Sequence, residues 1–302
     1  MIYLILSILC SASLAIMFKF SEIKGYDRNL VTTANYLVAT IVAIITFQKT
    51  FNPSDFSSLN FSNFLSEFRA LGPNNLLSVN GTIIMSTILG LIMGIAFLMS
   101  FIYFQKCIKD YGAGVSSIFV KFGILMPMTI SIFLWHEVPT PIKWVGIILS
   151  LFSIVLINID FGSSNFTLKK DLIILFFYNG IASLGNKVFQ KYCIAEYKSY
   201  LLFVVFLIAL LFSLVILLRN KKAFSIKPAL LGCAIGVPNL LSTFFLIKSL
   251  SYYDTSVVFP INSSATIVVI ALGSALLFNE TFKKKERYAI ALTVLSIVLV
   301  NM

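Results

Sequence analysis

The sequence predicts an all-α integral membrane protein with ten transmembrane helices, arranged as two inverted five-helix repeats. Three observations lead to this prediction: an apolar composition, ten apolar runs, and a repeat that relates the two halves of the chain. Of the 302 residues, 59% are hydrophobic and 12% are charged, and a soluble domain carries about twice that charged share. The composition therefore places the chain in the membrane class.

The charged and metal-binding residue types exclude other classes of function. The net charge is +11, but the basic residues lie in short clusters between apolar runs, as in loops that flank membrane spans. They form no basic face that would bind nucleic acid. The four cysteines lie far apart without a C-x-x-C motif, and His136 is the single histidine. We therefore expect no disulfide framework, metal, cofactor or nucleic-acid partner.

Ten apolar runs supply the predicted helices. A helix needs about 20 apolar residues to cross a hydrocarbon core of about 30 Å. The runs are continuous rather than alternating, so they are helices and not strands of a barrel. The first run lacks a positive n-region and a clear cleavage site, so we expect an uncleaved helix. The ten predicted spans are 2–18, 30–47, 82–104, 112–134, 142–158, 171–190, 199–218, 228–247, 256–278 and 286–301.

A long loop at 48–80 separates the second and third spans. It contains "FSNFLSEFRALG", in which Phe61, Phe64, Leu65, Phe68 and Leu71 recur at helical spacing. This spacing predicts a short amphipathic helix lying on the membrane surface. An ordinary folded-back loop is the alternative.

A sequence repeat joins the closing helices of the two halves. "SIVLIN" at 153–158 recurs as "SIVLVN" at 296–301, and the same offset pairs Glu137 with Glu280. Each Glu follows an apolar run and lies in a turn before the last helix of its half. We expect a structural role for both, such as capping the start of the next helix.

A second pair of matching motifs lies in spans three and eight. Gly90 and Gly94 align with Gly232 and Gly236, so both spans carry G-x-x-x-G at the same place. Small residues four apart let two membrane helices approach closely. These four glycines therefore support both the repeat and a packing role.

The repeat unit is five helices, and this number determines its topology. Residues 1–160 form the first repeat, with the long loop 48–80, and residues 161–302 form the second. Because five is odd, the second copy enters the membrane from the opposite side. Inverted repeats are typical of secondary transporters, whose substrate site lies near the midplane between the halves.

Two ionisable residues lie inside predicted spans, and such residues indicate function by default. Lys121 lies nine residues past Gly112, about 13 Å along a helix and near mid-bilayer. Placing a lysine there costs about 2.5–3.5 kcal/mol on insertion scales. We expect Lys121 to bind a substrate carboxylate or phosphate, or to carry a coupling proton. The alternative is a lysine bonded to backbone carbonyls or a serine.

Further polar residues recur within the spans. Asn179, Asn186 and Lys187 share one face of span six, which we expect to face the bundle interior. Pro238 and Pro260 are expected to interrupt spans eight and nine and to free backbone groups for binding. The predicted substrate-binding residues are Lys121, Asn179, Asn186, Lys187, Asn239, Asn262 and Ser263.

Two long motifs give the chain a family resemblance. "FLWHEVPTPIKWVGIILSLFSIVLIN" and "LLFNETFKKKERYAIALTVLSIVLVN" each hold an apolar helix, a short turn with Glu and a closing helix. The chain thus resembles the drug/metabolite transporter superfamily, and within it the ten-helix EamA-type permeases. The family's usual Gly before this Glu is His136 and Asn279 here.

The resemblance implies a permease rather than an enzyme. It implies the movement of small polar metabolites, such as amino acids or related organic anions, across a bacterial inner membrane, and many relatives export. A monomer or a homodimer among membrane lipids is the expected unit. A channel or non-transporting membrane scaffold is the alternative class, and a membrane-embedded enzyme is the third.

The distribution of basic residues predicts an orientation. Of the 23 Lys and Arg, fifteen lie in the odd-numbered loops and six in the even-numbered loops. The positive-inside rule then places the odd loops in the cytoplasm and both termini outside. The resemblance implies the opposite, because relatives usually have both termini inside.

Overall fold

The structure is a computed structural model whose described part is built of α-helices. It describes residues 2–48, 52–56, 59–72, 75–123, 125–135, 140–158, 169–219, 225–250, 252, 255–279, 281–282, 284–300 and 302. Within these ranges there are thirteen α-helices, one 3-10 turn and no strand. The all-α prediction is therefore confirmed for the described residues.

Helices occupy all ten predicted spans. In the first half these are α1 (Ile2–Ile23), α2 (Arg28–Gln48), α3 (Pro53–Phe56), α4 (Phe61–Arg69), α5 (Val79–Tyr111), α6 (Ala113–Phe122), α7 (Leu125–Trp135) and α8 (Pro141–Asn158). In the second half they are α9 (Lys170–Tyr192), the 3-10 turn Ala195–Tyr197, α10 (Lys198–Arg219), α11 (Ile226–Leu250), α12 (Thr255–Phe278) and α13 (Lys284–Val300).

Five of these helical segments are long and apolar enough to cross a membrane, counting only the residues that the structure describes. They are α1, α2, α5, α9 and the segment formed by the 3-10 turn with α10. Shorter apolar stretches lie at Ala113–Pro127, Ile226–Ser242, Asn262–Phe278 and Arg287–Leu299. The architecture is that of a helical membrane protein.

Eight spans pack side by side in a closed ring. In order around the ring, α1 packs on α11, α11 on α2, α2 on α10, α10 on α5, and α5 on α9. The ring continues from α9 to α6 and α7, from α6 to α12, and from α12 back to α1. The remaining spans, α8 and α13, pack on one another, and α13 also contacts α12 and α6. Helix contacts thus surround a central axis.

Glycines bring the helices of the ring into close contact at two interfaces. A Cβ atom added at Gly90 would lie 2.6 Å from Val204 Cγ1 on α10. One added at Gly236 would lie 2.7 Å from Val38 Cβ on α2. Gly94 and Gly232 lie against the same two partner helices, beside Ile208 and Ala34 respectively. Both G-x-x-x-G motifs therefore lie in helix–helix contacts with no room for a side chain.

Two predicted helix breaks are wrong. α11 runs without interruption through Pro238, and α12 runs without interruption through Pro260. A membrane helix tolerates proline because neighbouring helices and local adjustments compensate the lost backbone hydrogen bond. α11 packs along both α1 and α2, and α12 packs along both α1 and α13. These contacts pack both helices against their neighbours along the bundle.

In the fourth span the described residues form two helices. α6 ends at Phe122, directly after Lys121, and α7 begins at Leu125. Pro127 lies in the first turn of α7, where a helix needs no backbone N–H donor. The boundary between α6 and α7 therefore lies immediately after Lys121, and the backbone N–H of Met126 donates a hydrogen bond of 3.2 Å to the Gly123 oxygen across it.

The loop between α2 and α5 contains the predicted amphipathic helix, which is α4. Its first turn is capped by the side chain of Asn60, which accepts hydrogen bonds from the backbone of Ser62 and Asn63. Phe64 is 5% exposed and packs against α5, whereas Phe61 is 61% exposed. The helix is confirmed, and it folds back on α5 with one aromatic residue as its anchor.

Candidate functional site

A cavity opens at one mouth of the ring, where α1 and α5 end and α6 begins. Its volume is about 450 Å³. Besides these three helices, the segments just before α9 and just after α12 contribute to it. We call it the mouth cavity. Its polar lining residues are Lys19, Glu22, Lys109, Asp110, Tyr111, Lys169 and Thr281.

Ion pairs and aromatic contacts order the charges around the mouth cavity. Arg28 binds the carboxylate of Glu22 with two hydrogen bonds, of 2.6 and 2.7 Å. The ammonium group of Lys169 lies 5.2 Å from the ring centre of Tyr111. That of Lys19 lies 5.8 Å from the ring centre of Phe278. The mouth cavity is thus a structured, mostly basic surface.

Lys121 occupies the last turn of α6, deeper in the ring than the mouth cavity. Its side chain is half-buried, between the buried residues Phe119 and Phe122 in the chain. Among the described residues, no hydrogen bond or ion pair reaches its ammonium group. The carbonyl bonds of the alternative hypothesis are therefore not seen in that part of the chain.

Asn179 lies next to the boundary between α6 and α7. Its Nδ2 donates a hydrogen bond of 3.3 Å to Ser100 Oγ on α5. Its Oδ1 would lie 2.8 Å from a Cβ atom added at Gly123, two residues after Lys121. The structure thus brings two predicted site residues, from spans four and six, to the same level of the ring.

Asn262 and Ser263 lie on α12, opposite α1 and α11. Asn262 is 5% exposed, and its Oδ1 lies 3.2 Å from Ser7 Oγ. The Ser7 hydroxyl also lies 2.8 Å from the backbone oxygen of Ser242 and can donate to either acceptor. Ser263 is half-buried. The sequence analysis missed Ser7, although a hydroxyl inside the first apolar run is a signal for such a contact.

Asn239 pairs with a second residue that the sequence analysis missed. Its Nδ2 donates a hydrogen bond of 3.2 Å to Oδ1 of Asn35 on α2. Asn35 is completely buried, and its own Nδ2 has no partner among the described residues. An unpaired amide group in such a position is costly, so this pair is either a packing contact or a place where substrate completes the hydrogen bonds.

Asn186 and Lys187 lie away from these groups. Asn186 is exposed, and its Nδ2 donates a hydrogen bond of 3.2 Å to the backbone oxygen of Ala182 in its own helix. Lys187 is half-buried. The buried face of α9 near them is made of Ala182, Gly185 and Phe189 instead. Glu137 and Glu280, the two predicted structural glutamates, lie outside the described residues.

The fold and this site define a class of protein. It is an α-helical membrane protein with a closed ring of spans, a polar cavity at one mouth and polar side chains at several levels inside.

Residues 172–302, which are most of the second half, match the family model of the EamA-like transporter family. This match confirms the resemblance to the drug/metabolite transporter superfamily. The matched residues make up less than half of the chain. Together with the apolar helices, the match supports a multi-pass integral membrane protein, and the matched family suggests a transporter rather than an enzyme.

Solved structures share the fold over the whole chain. One of them, described as "Crystal structure of protein", aligns with a TM-score of 0.56 at 12% identity. The alignment covers 99% of this chain and 94% of that chain. A comparison with curated proteins finds no match. The common fold thus extends over the first half, where the family model does not reach.

Proposed function

We propose that the protein is a secondary transporter of small polar metabolites, such as amino acids or related organic anions. It moves them across a bacterial inner membrane by alternating access, as a monomer or a homodimer. The observation that carries the proposal is the closed ring of spans with a polar cavity at one mouth. A substrate that crosses a membrane without contacting lipid needs such an interior path.

The helix contacts support two inverted five-helix repeats, residues 1–160 and 161–302. The repeat pairs α1 with α9, α2 with α10, and α5 with α11. α5 packs on α9 and α10, and its counterpart α11 packs on α1 and α2. Exchanging each of these helices for its counterpart therefore reproduces these four contacts, whereas the weaker contact of α1 with α5 has no comparable counterpart between α9 and α11 among the described residues. This correspondence is what an inverted repeat requires.

Equivalent hydrogen bonds support the same repeat. Ser100 on α5 aligns with Ser242 on α11. Ser100 accepts a hydrogen bond from Asn179 of α9, and the backbone oxygen of Ser242 accepts one from Ser7 of α1. Each serine thus contacts the first helix of the other repeat. Polar contacts between repeats near the membrane centre are where alternating access would rearrange the site.

The proposed substrate site centres on Lys121, with Asn179 on one side and Asn262 and Ser263 on the other. α6 packs on both α9 and α12, the helices that carry these residues. A lysine whose ammonium group has no acceptor among the described residues favours an anionic ligand, because a substrate carboxylate or phosphate would supply the missing charge. Asn239, Asn186 and Lys187 belong to the wider proposed set.

Lys121 is also the proposed proton site in a second mechanism. Among the described residues, no Asp or Glu lies deep in a span, so a carboxylate is not the coupling group there. In this mechanism, Lys121 releases its proton when substrate binds and takes one up when substrate leaves. The two mechanisms differ in whether substrate movement carries protons.

Uptake into proteoliposomes tests the proposal. We expect saturable uptake of an organic anion or amino acid, stimulated by the same compound trapped on the other side. Lys121→Gln should abolish it. Lys24→Gln is the matched control, because Lys24 is exposed at the end of α1 and does not line the mouth cavity.

Other outcomes separate the alternatives. Flux that never saturates would indicate a channel, and no flux with any metabolite of a broad panel would indicate a scaffold. Substrate-dependent proton movement that is lost in Lys121→Gln, while substrate binding is kept, would identify Lys121 as the proton site. Substrate binding lost in the same variant would identify it as the anion-binding group.

A further inference from the structure

The chain between α2 and α5 makes the two proposed repeats unequal. Residues 49–78 lie between these helices, whereas residues 220–225 lie between their counterparts α10 and α11. The longer segment contains α3 and α4, and we call its described residues, 52–56, 59–72 and 75–78, the strap. At the end of the ring opposite the mouth cavity, α2 and α9 end and α5 and α10 begin. The strap therefore lies at this far end.

The α3 part of the strap contacts the start of α10. Tyr197, in the 3-10 turn before α10, donates a hydrogen bond of 2.6 Å from its hydroxyl to Asp55 Oδ2 on α3. The ring centre of Phe56, the last residue of α3, lies 5.2 Å from that of Tyr200 on α10. Hydrogen bonds to ionised groups are stronger than those between neutral groups. These two contacts thus attach α3 to the second repeat.

Phe56 also contacts the end of α2. Its ring centre lies 6.1 Å from that of Phe47 on α2. Phe47 in turn stacks on Phe203 of α10 at 5.4 Å and lies 5.3 Å from Tyr200. Aromatic rings at such separations attract one another beyond the effect of their burial. Four rings from α2, α3 and α10 therefore form an aromatic cluster that joins α2 to α10 at the far end.

The α4 part of the strap is anchored separately from α3. Phe64 packs in a buried cluster that contains Leu77 and, from the second repeat, Phe189 and Leu201. The backbone N–H of Leu77 donates a hydrogen bond of 2.8 Å to the backbone oxygen of Tyr192 at the end of α9. The strap is thus fixed to α9 and α10, and α3 extends from it to the end of α2.

At the mouth end, α2 and α10 meet through smaller side chains. Asn29 and Thr32 of α2 and Ser213 and Ile216 of α10 border one narrow gap there, together with α5. None of these four residues is aromatic. In the proposed repeat α2 and α10 are counterparts, so the pseudo-twofold axis passes through their contact and relates its two ends. Identical repeats would make the two ends alike, and the strap makes them unlike.

We propose that the strap is a latch on the far end of the α2–α10 contact, which biases the protein toward the state that is open at the mouth and closed at the far end. This inference rests on the proposed function, because alternating access requires the two ends to open in turn. Contacts made in only one of two states stabilise that state relative to the other. When α2 and α10 separate at the far end, the aromatic cluster and the bond between Tyr197 and Asp55 have to break.

Hydrogen–deuterium exchange of the full chain in phosphatidylcholine nanodiscs tests the latch without any substrate. The variants are Phe56→Ala, which removes one ring of the aromatic cluster, and Tyr197→Phe, which removes only the hydroxyl group. We expect each variant to speed exchange in the far-end halves of α2 and α10 and to slow it in their mouth-end halves. The expected change is roughly two- to tenfold, the effect of one lost aromatic pair or hydrogen bond.

The matched control is Phe61→Ala. Phe61 is an aromatic residue of the same strap, but it lies on α4 and is 61% exposed. This variant should leave exchange in α2 and α10 unchanged. Opposite changes at the two ends of these helices indicate a shift between states, because a local loss of packing speeds exchange only where the packing is lost. Faster exchange at the far end alone, or no change in either variant, would overturn the latch.

Transport kinetics test the bias in the working protein. The apparent affinity on each side depends on the fraction of molecules open to that side, so the latch predicts a lower KM at the mouth than at the far end. In proteoliposomes of known orientation, Tyr197→Phe should lower the far-end KM by roughly two- to tenfold, as expected for one lost hydrogen bond. An unchanged or raised far-end KM would count against the latch. Absence of transport by the native chain, with the opposite exchange changes present, would contradict the proposed function and not the latch.

Discussion

At Gly232 the backbone of α2 comes so close to α11 that a methyl group has no space. A Cβ atom added there would collide with the backbone oxygen of Val31 and lie 2.7 Å from the Cβ of Ala34. Neither atom can move without moving α2 itself. The same would apply to Gly236, where the backbone oxygen of Asn35 is 2.9 Å away. These residues determine the distance between two helices of the ring.

We predict that Gly232→Ala destabilises the protein by about 1–3 kcal/mol, the usual cost of overpacking. The matched control is Gly273→Ala, where the new Cβ atom would meet only Ile16 Cδ1, the flexible end of a side chain, at 2.6 Å. Melting temperatures in detergent measure both variants. An equal loss in the two variants would contradict the close-contact role of Gly232.

Asn35 and Asn239 form a second pair whose strength can be measured. Their hydrogen bond is 3.2 Å long and joins α2 to α11. Polar contacts between membrane helices contribute on average about 0.6 kcal/mol and at most about 1.7 kcal/mol. We predict a coupling energy in this range from the double-mutant cycle Asn35→Ala, Asn239→Ala, followed by thermal unfolding.

The same variants show whether Asn239 also contacts substrate. A packing role predicts that Asn239→Ala lowers stability and leaves the KM for uptake unchanged. If the Asn239→Ala protein is fully folded and its KM for uptake is nevertheless raised, Asn239 belongs to the substrate site. The buried Nδ2 of Asn35, which has no partner among the described residues, is the group that a substrate carboxylate would then reach.

Among the elements, α4 has one buried side chain, Phe64, and a hydrogen-bonded contact between Glu67 and Ser78 at the start of α5. Phe64 is 5% exposed and packs in a cluster with Leu77 and Met85, while Phe61 on the same helix is 61% exposed. The sequence pattern alone does not distinguish these two residues. Only the packing of α4 on α5 separates the anchor from the side chain that remains exposed.

We predict that Phe64→Ala releases α4 and that Phe61→Ala does not. Replacing a buried Phe by Ala costs about 3–5 kcal/mol, which exceeds what a nine-residue helix gains from its own hydrogen bonds. Hydrogen exchange of the α4 amides measures the release, and the amides of α5 serve as an internal reference. Protection of α4 that persists in Phe64→Ala would mean that other contacts hold it.

The boundary within the fourth span shows how an element depends on its neighbours. Three prolines lie within predicted spans: Pro127, Pro238 and Pro260. From the sequence alone, each of them is equally able to end a helix. α11 and α12 nevertheless continue through theirs. Of the three, only Pro127 lies near a boundary between described helices, since α6 ends at Phe122 and α7 begins at Leu125, and Gly123 packs there against Gly180 of α9. Close contact with α9 therefore accompanies the boundary, together with Pro127 in the first turn of α7.

For the whole molecule, the charge distribution predicts the orientation. Fifteen of the 23 Lys and Arg lie in odd-numbered loops, and the mouth cavity opens at the end of the ring where loops one and three lie. The positive-inside rule places this end in the cytoplasm. The mouth cavity would then face the cytoplasm, the side from which an exporter takes up its substrate.

Reporter fusions test this orientation. A fluorescent protein that folds only in the cytoplasm should be dark when fused after residue 302 and bright when fused after residue 222, in loop seven. Alkaline phosphatase, which is active only outside, should give the reverse pattern. Strong fluorescence from the C-terminal fusion would overturn the orientation and would place the mouth cavity on the outer face.

The sequence by itself determined the membrane class, the number of apolar runs and the glycine motifs. These properties depend on the length of each apolar run and on its local composition. Both can be read directly from the sequence. Tertiary structure decided which polar side chains contact one another. Asn179 contacts Ser100 from 79 positions away, and Ser7 contacts Asn262 from 255 positions away. It also decided where the mouth cavity forms, because its lining comes from five chain segments that only helix packing brings together.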